Sequence, residues 1–314
     1  MALDARHAFL LDRAKRALGH NTPMDAVAKV RSIIGAKDIP DSEAEAQVAM
    51  DTLRAGDIPT PAQLAALEIV VRLMRPVMFT EDGALGDLPE TKNRDLRPAD
   101  LTQAWSAFQA MIRPHIGSIG RIEDSRGRHV GTGFVAGDDL IATNRHVLSV
   151  LSTGSEALRP GSCHIVFKYE LNRANSASDK VRIDSVEAIH PTLDLVLLRA
   201  PVAGRPALPF SRTPPSAGDR VVTIGYPGKD EDNNPLFLGQ VFDGKFGVRR
   251  AALGEVLDGT AAPNLFHDCS TTQGNSGSPV FLIGDATVAA VHRSGYFMYR
   301  NEAVASDELA SLLS

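Results

Sequence analysis

Apolar residues recur every three or four positions over the first quarter of the chain, then in short runs bounded by turn residues from about Ile116 onward. The first pattern predicts helices and the second predicts strands. Helices are expected over 3–18, 23–34, 41–54 and 61–75, opened by Pro or acidic residues and closed by Gly or Pro. Leu64, Leu67, Val71 and Met74 form one face of the fourth helix, and Val27, Val30 and Ile34 repeat that stripe in the second. Four helices of this size just sustain a core of their own. Residues 80–98 carry Gly, Pro and charge without an apolar period, which predicts an exposed linker, and a short helix around Trp105 and Phe108 follows it.

The later runs, GTGFVAG, DLIATN, CHIVFKYE, LDLVLLRA, RVVTIGY, SPVFLI and TVAAVH among them, predict an all-β barrel or sandwich. Two six-stranded barrels fill the segment. The expected fold class is therefore α+β multidomain, an α-helical bundle followed by an all-β double β-barrel, divided as 1–79, a linker with a short helix over 80–114, and 115–314.

Charge removes several function classes. With a formal charge of -5 and no block of Lys and Arg, the chain lacks the basic face that nucleic acid or an anionic membrane surface requires. No run reaches the ~20 apolar residues of a membrane helix, and charges interrupt the amino terminus where a secretory signal would be apolar. Two cysteines, Cys163 and Cys269, are too few for a disulfide scaffold, so a cytoplasmic location is expected. No HExxH, paired CxxC, EF-hand loop or phosphate-binding glycine loop occurs, and neither a metal nor another cofactor is expected.

Three segments carry chemistry. TNRHV places His146 at the end of an apolar strand, HPTLDLVLLR places Asp194 at the start of another, and GNSGSPV holds Ser276 between Gly274 and Gly277. A serine hydroxyl needs a base within hydrogen-bond reach and a third group that holds the base in its useful tautomer. His146 and Asp194 suit those two roles, whereas each residue alone reads as an ordinary packing or turn residue.

In these segments the chain resembles the trypsin-like, chymotrypsin-fold serine peptidases, in the bacterial branch of glutamyl endopeptidases and HtrA-type proteases, over residues of about 116 to 300. The resemblance implies a serine endopeptidase acting on a protein or peptide through His146, Asp194 and Ser276. It implies an oxyanion hole at Gly274 and Ser276, and a substrate pocket at Ser270, Thr271, His292 and Arg293 that favours an acidic residue before the scissile bond. Asn275 stands where digestive enzymes keep the aspartate that pairs with a new amino terminus, so an oxyanion loop formed in the intact chain, or set by a partner, is expected instead. Arg293 occupies the place of a serine that commonly supports the catalytic aspartate. The segment 228–246 reads as a lid or a solvated surface loop.

The helical part is then a localising or regulatory unit, and a defence-effector role is the expectation by analogy. Two other readings stay open: a latent protease-fold adaptor binding partners through residues 1–79, and self-processing at Glu81, Asp82, Asp87 or Glu90.

Overall fold

A computed structural model describes residues 5–18, 22–34, 42–73, 75–88, 99–152, 154–159, 161–173, 179–202, 204–231, 235–296 and 300–313. Helices α1 (Ala5–Leu18), α2 (Pro23–Ile34), α3 (Ser42–Ala55) and α4 (Pro61–Leu73) form the predicted bundle. Two of them begin with reciprocal caps. The Asp25 amide donates to Thr22 Oγ1 at 3.1 Å while Asp25 accepts from the Thr22 amide at 3.0 Å, and Gln63 and Thr60 repeat the exchange before α4. Leu18, Val27, Met50, Leu53, Leu67 and Val71 are buried in the shared core. Leu64 is half-buried; Met74 and the side chains of Val30 and Ile34 lie outside the described residues.

The expected linker begins with structure. Strands β1 (Val77–Glu81) and β2 (Ala84–Leu85) form a hairpin whose turn residues Asp82 and Gly83 both have positive φ, the backbone of a tight two-residue turn. Asp-Gly is itself the sequence signal for such a turn, but the charges around it read as linker. The hairpin is not exposed connection: β1 pairs with a strand of the second barrel, with Met78 opposite Ala251. Helix α5 (Ala99–Ile112) is the predicted helix, and its Trp105 donates to the Gly86 carbonyl at 3.2 Å, bracing the hairpin.

Residues β3 (Ile119–Asp124), β4 (His129–Gly137), β5 (Leu140–Thr143), helix α6 (Arg145–Ser152), β6 (Cys163–Val166), β7 (Lys180–Arg182), β8 (Ser185–Ile189) and β9 (Val196–Arg199) build the first β unit. Its seven strands run in the order β7, β6, β3, β4, β5, β9, β8, a curled sheet rather than the six-stranded closed barrel expected. The second unit comprises β10 (Arg220–Gly225), α7 (Pro235–Phe242), β11 (Arg250–Asp258), β12 (Asn264–His267), β13 (Pro279–Leu282), β14 (Val288–Tyr296), β15 (Arg300–Ala305) and α8 (Ser306–Leu313). Here β10, β13, β14, β15, β12 and β11 do close, because β10 pairs with β11 as well as with β13.

Between the two β units the chain buries a guanidinium. Arg249 donates to the carbonyls of Ile116 at 2.7 Å, Ile119 at 3.1 Å and Phe167 at 3.1 Å, and pairs with the equally buried Glu170. A buried pair of this kind contributes little beyond an apolar replacement of both partners, but removing one strands the other. Arg249→Met is therefore expected to cost about 3–5 kcal/mol and to lower the melting temperature by about 10 °C, read by scanning calorimetry. A melting point unchanged from the parent would show the staple to be idle.

Candidate active site

Strand β5 ends at Thr143, and the chain turns at once into α6, so His146 sits on the first turn of a helix and not at a strand end as expected. Asp194 lies in the turn before β9, where Asn144 Nδ2 donates to its backbone carbonyl at 2.9 Å. The Asp194 carboxylate takes both groups of the histidine: Oδ1 accepts from the His146 amide at 2.9 Å and Oδ2 meets Nδ1 at 2.7 Å. An ionised carboxylate at Nδ1 holds the ring proton there and leaves Nε2 as the free base. The turn itself is shaped by His190, whose Nδ1 accepts from the amides of Thr192 at 3.3 Å and Leu193 at 2.9 Å. Its other nitrogen lies 3.4 Å from Glu308 of α8.

Ser276 comes from the other β unit, in a loop pressed onto β4. The Thr132 amide donates to the Ser276 carbonyl at 2.8 Å, and Thr132 Oγ1 donates to the Gly274 carbonyl at 2.8 Å. Gly274 and Gly277 have φ of +91° and +86°, a region that L side chains rarely adopt. Space is equally short: a Cβ at Gly277 would lie 2.1 Å from the Thr132 carbonyl oxygen, and one at Gly274 would lie 2.3 Å from the His129 ring. The Ser276 hydroxyl donates to the Arg293 carbonyl at 3.3 Å.

The Gln273 carbonyl accepts from the Gly228 amide at 2.6 Å. In a trans peptide the following N–H points the opposite way, so Gly274 directs its amide away from the Gly228 segment. Asn275 is buried and turned into its own loop, with both its backbone and side-chain amides within 3.3 Å of the Thr272 carbonyl. The loop thus closes on itself in the uncut chain.

A cavity of about 230 Å³ beside Ser276 is lined by Asp230, Thr271, His292, Arg293 and Asn301, among others. Ser270 is buried behind this wall and does not line it. Arg293 forms an ion pair with Glu302, so its charge is spoken for. His292 is fully enclosed, and burial, then His267 and His146, hold its pKa well below the ordinary imidazole value. Asn301, whose Oδ1 accepts from Thr271 Oγ1 at 3.1 Å, and Asp230 were not singled out from sequence, since neither belongs to the three motif segments. The segment 228–246 is no simple loop: it contains α7, with Leu238, Val241 and Phe242 buried in a cluster of their own.

Among the described residues no group of three or more His, Cys, Asp or Glu is placed to hold a metal ion, and no helix is long and apolar enough to cross a membrane.

A model of the trypsin-like peptidase domain matches residues 131–291, just over half of the chain. The chain belongs to the trypsin-like peptidase family. No curated protein matches it. Among solved structures it is similar to the Rv3671c protease from M. tuberculosis in its active form, at 21% identity and a TM-score of 0.44 over 65% of this chain and 82% of that one. It is also similar to a serine endoprotease from Yersinia pestis, at 15% identity and a TM-score of 0.48, covering 66% of this chain and 65% of that chain.

Two outcomes follow for this trypsin-like chain. Gly277→Ala forces a side chain into the Thr132 carbonyl and is expected to abolish peptide cleavage, with cleavage at parental rate showing that the loop has slack. Burial raises the thiol pKa of Cys163 to about 11 and of Cys269 to about 12. Neither thiol is then expected to react with a disulfide reagent at about pH 8 until denaturant is added; prompt reaction of either in the native protein would contradict that burial.

Proposed function

We propose that this protein is a serine endopeptidase in which Ser276 attacks the peptide carbonyl, His146 takes its proton, and Asp194 orients and stabilises the imidazolium. The observation that carries this reading is the doubly bonded Asp194–His146 pair at 2.7 and 2.9 Å, which leaves one ring nitrogen free as base. On substrate arrival the hydroxyl exchanges the Arg293 carbonyl for that nitrogen. An acyl-enzyme forms on Oγ as the amine leaves with the proton from His146, and water then repeats the sequence to release the acid. The amides of Gly274 and Ser276 take the developing oxyanion, and their loss would cost ~10²–10³ in turnover.

The pocket supports selection by hydrogen bonding. His267 Nδ1 accepts from the Cys269 amide at 3.3 Å, so its proton resides on Nε2, which meets His292 Nδ1 at 3.2 Å. His292 then carries its own proton on Nε2. Together with Thr271 and Asn301 this offers a neutral hydrogen-bonding wall, within a cavity that Asp230 and Arg293 also line, for a side chain that brings an oxygen acceptor, Glu or Gln, before the scissile bond. With Arg293 paired to Glu302, no unpaired cation among the described residues lining the cavity selects for charge, which narrows the acidic preference expected from sequence.

Residues 1–79 form the regulatory or interaction unit in this reading, with a cytoplasmic home suggested by two unpaired, buried thiols. A regulated effector role is proposed on organisation alone.

Peptides differing only at that position test the proposal. Glu and Gln are expected to exceed Leu and Lys, with Ser276→Ala and His146→Ala both inactive; an intact Ser276→Ala activity would remove Ser276 as the nucleophile, and a wild type inert on every peptide would favour the adaptor reading. The pH dependence is specific. An imidazole of ordinary pKa would gain charge between about pH 8 and about pH 5.5 and raise the Glu-to-Gln ratio, but His292 stays neutral there, so the ratio is expected to hold within about twofold.

A further inference from the structure

The helical bundle meets the second barrel through buried charge, and that charge lies on the segment that sets the pocket histidines. Asp268 follows β12, between His267 and Cys269, and its side chain is fully buried. Arg13 of α1 donates from Nε to Asp268 Oδ2 at 3.2 Å, and Arg75, just beyond α4, donates from Nε at 3.0 Å and approaches with Nη2 at 2.8 Å. The other carboxylate oxygen accepts from the Glu255 amide of β11 at 2.7 Å. Arg13 also clasps Glu68 of α4 at 2.5 and 2.8 Å, while Arg16 and Arg75 reach Glu255 at 2.7 and 3.2 Å. Three cations, all from the first 75 residues, thus face three carboxylates, two of which belong to the peptidase barrel.

The fit is close. A Cβ at Gly254 would lie 2.7 Å from Asp268 Oδ1 and 2.6 Å from the Cys269 amide, so β11 accommodates this carboxylate only because it has glycine there. Burial opposes ionisation of Asp268, yet Arg75 and Arg13 hold its pKa below the usual carboxylate value. With the bundle displaced, Asp268 would lose the two cations that offset its burial, and its segment would relieve that loss by rearranging or taking up water.

The peptide after Asp268 is the one whose amide donates to His267 Nδ1. Its orientation fixes the His267 proton on Nε2, and thereby the His292 proton on the nitrogen left to the pocket. We propose that Arg13 and Arg75 are positioning residues for substrate selection: through Asp268 they hold the His267–His292 relay, so that the seating of the helical bundle controls the specificity pocket. A partner that pulls the bundle away would weaken substrate binding without touching Ser276, His146 or Asp194. The inference rests on the proposed peptidase pocket, and the ring-nitrogen readout tests the coupling apart from that reading.

The test uses the full chain. Arg13→Gln combined with Glu68→Gln removes the cation without stranding Glu68, Asp268→Asn removes the carboxylate charge while keeping its shape, and the triple variant closes a cycle. Circular dichroism melting first establishes that each is folded at the assay temperature. The expected result is a drop in kcat/KM of ~10-fold for the Glu and Gln peptides, carried by KM, with the rate of fluorophosphonate labelling of Ser276 unchanged within about twofold. The triple variant is expected to lose no more than the larger of its components.

Imidazole ¹⁵N spectra of the Ser276→Ala chain supply a readout independent of activity. His267 and His292 are each expected as a single Nε2–H tautomer, which becomes mixed when the Arg13 and Glu68 changes are added. Unchanged ring signals, or losses in kcat/KM and labelling of equal size, or losses that multiply in the triple variant, would overturn the coupling. If the parent chain neither labels nor cleaves, the peptidase reading has failed and the ring signals alone decide this proposal.

Discussion

The active site depends on how closely two β units approach at one point. The loop bearing Ser276 lies against β4 with its backbone directly on the backbone of Thr132, held by the amide to the Ser276 carbonyl and by the hydroxyl to the Gly274 carbonyl. Gly131 belongs to the same contact, since a Cβ there would lie 3.0 Å from the Ser276 carbonyl and 2.7 Å from the side chain of Val147, next to His146. Three glycines on two chain segments therefore set the distance between the Ser276 loop and the first turn of α6, which carries His146. A reaction that transfers a proton between side chains from separate units requires that distance to be built into the fold rather than found on collision.

Around that contact, buried polar groups cross a seam that apolar side chains also fill, with Ile119, Phe134 and Leu195 of the first unit in one buried cluster with Val222, Ile224 and Phe281 of the second. Arg249 joins the two β units through three carbonyls and Glu170, and Tyr226 donates to the Ile119 carbonyl at 3.1 Å across the same seam. Arg13, Arg16 and Arg75 do the same between bundle and barrel. Such interfaces tolerate little misalignment, because a guanidinium or carboxylate that loses its partner in a dry environment is costly. They make the relative placement of the parts specific, and they explain how a bundle remote from Ser276 is connected to the pocket wall.

Much of the site was legible because its chemistry is local in sequence. GNSGSPV, TNRHV and HPTLDLV each announce a residue type with the backbone it needs, and the structure brings His146 and Asp194 into the expected pair. The four helices were legible from the apolar period and from the Pro, acidic and Gly residues at their ends. What escaped was set by partners distant in sequence. The hairpin at 77–85 is strand because β11 pairs with it, α7 is helix because Leu238 and Phe242 have a cluster to enter, and the first sheet is open because, among the described residues, its edge strands β7 and β8 each pair with one neighbour and not with each other. Asn301 and Asp230 reach the pocket by the same route, from segments carrying no motif. Arg293, read as a pocket cation, is answered by Glu302 on the neighbouring strand, a pairing that only the β14–β15 register reveals.

In the proposed mechanism the uncut chain presents Ser276 as a nucleophile already served by His146 and Asp194. Mass spectrometry of the intact protein after exposure to a fluorophosphonate, followed by peptide mapping, tests it most directly. A single adduct on Ser276 is expected, and it is expected to disappear when His146 is replaced by alanine. An unmodified protein, or an adduct that persists without His146, would contradict it.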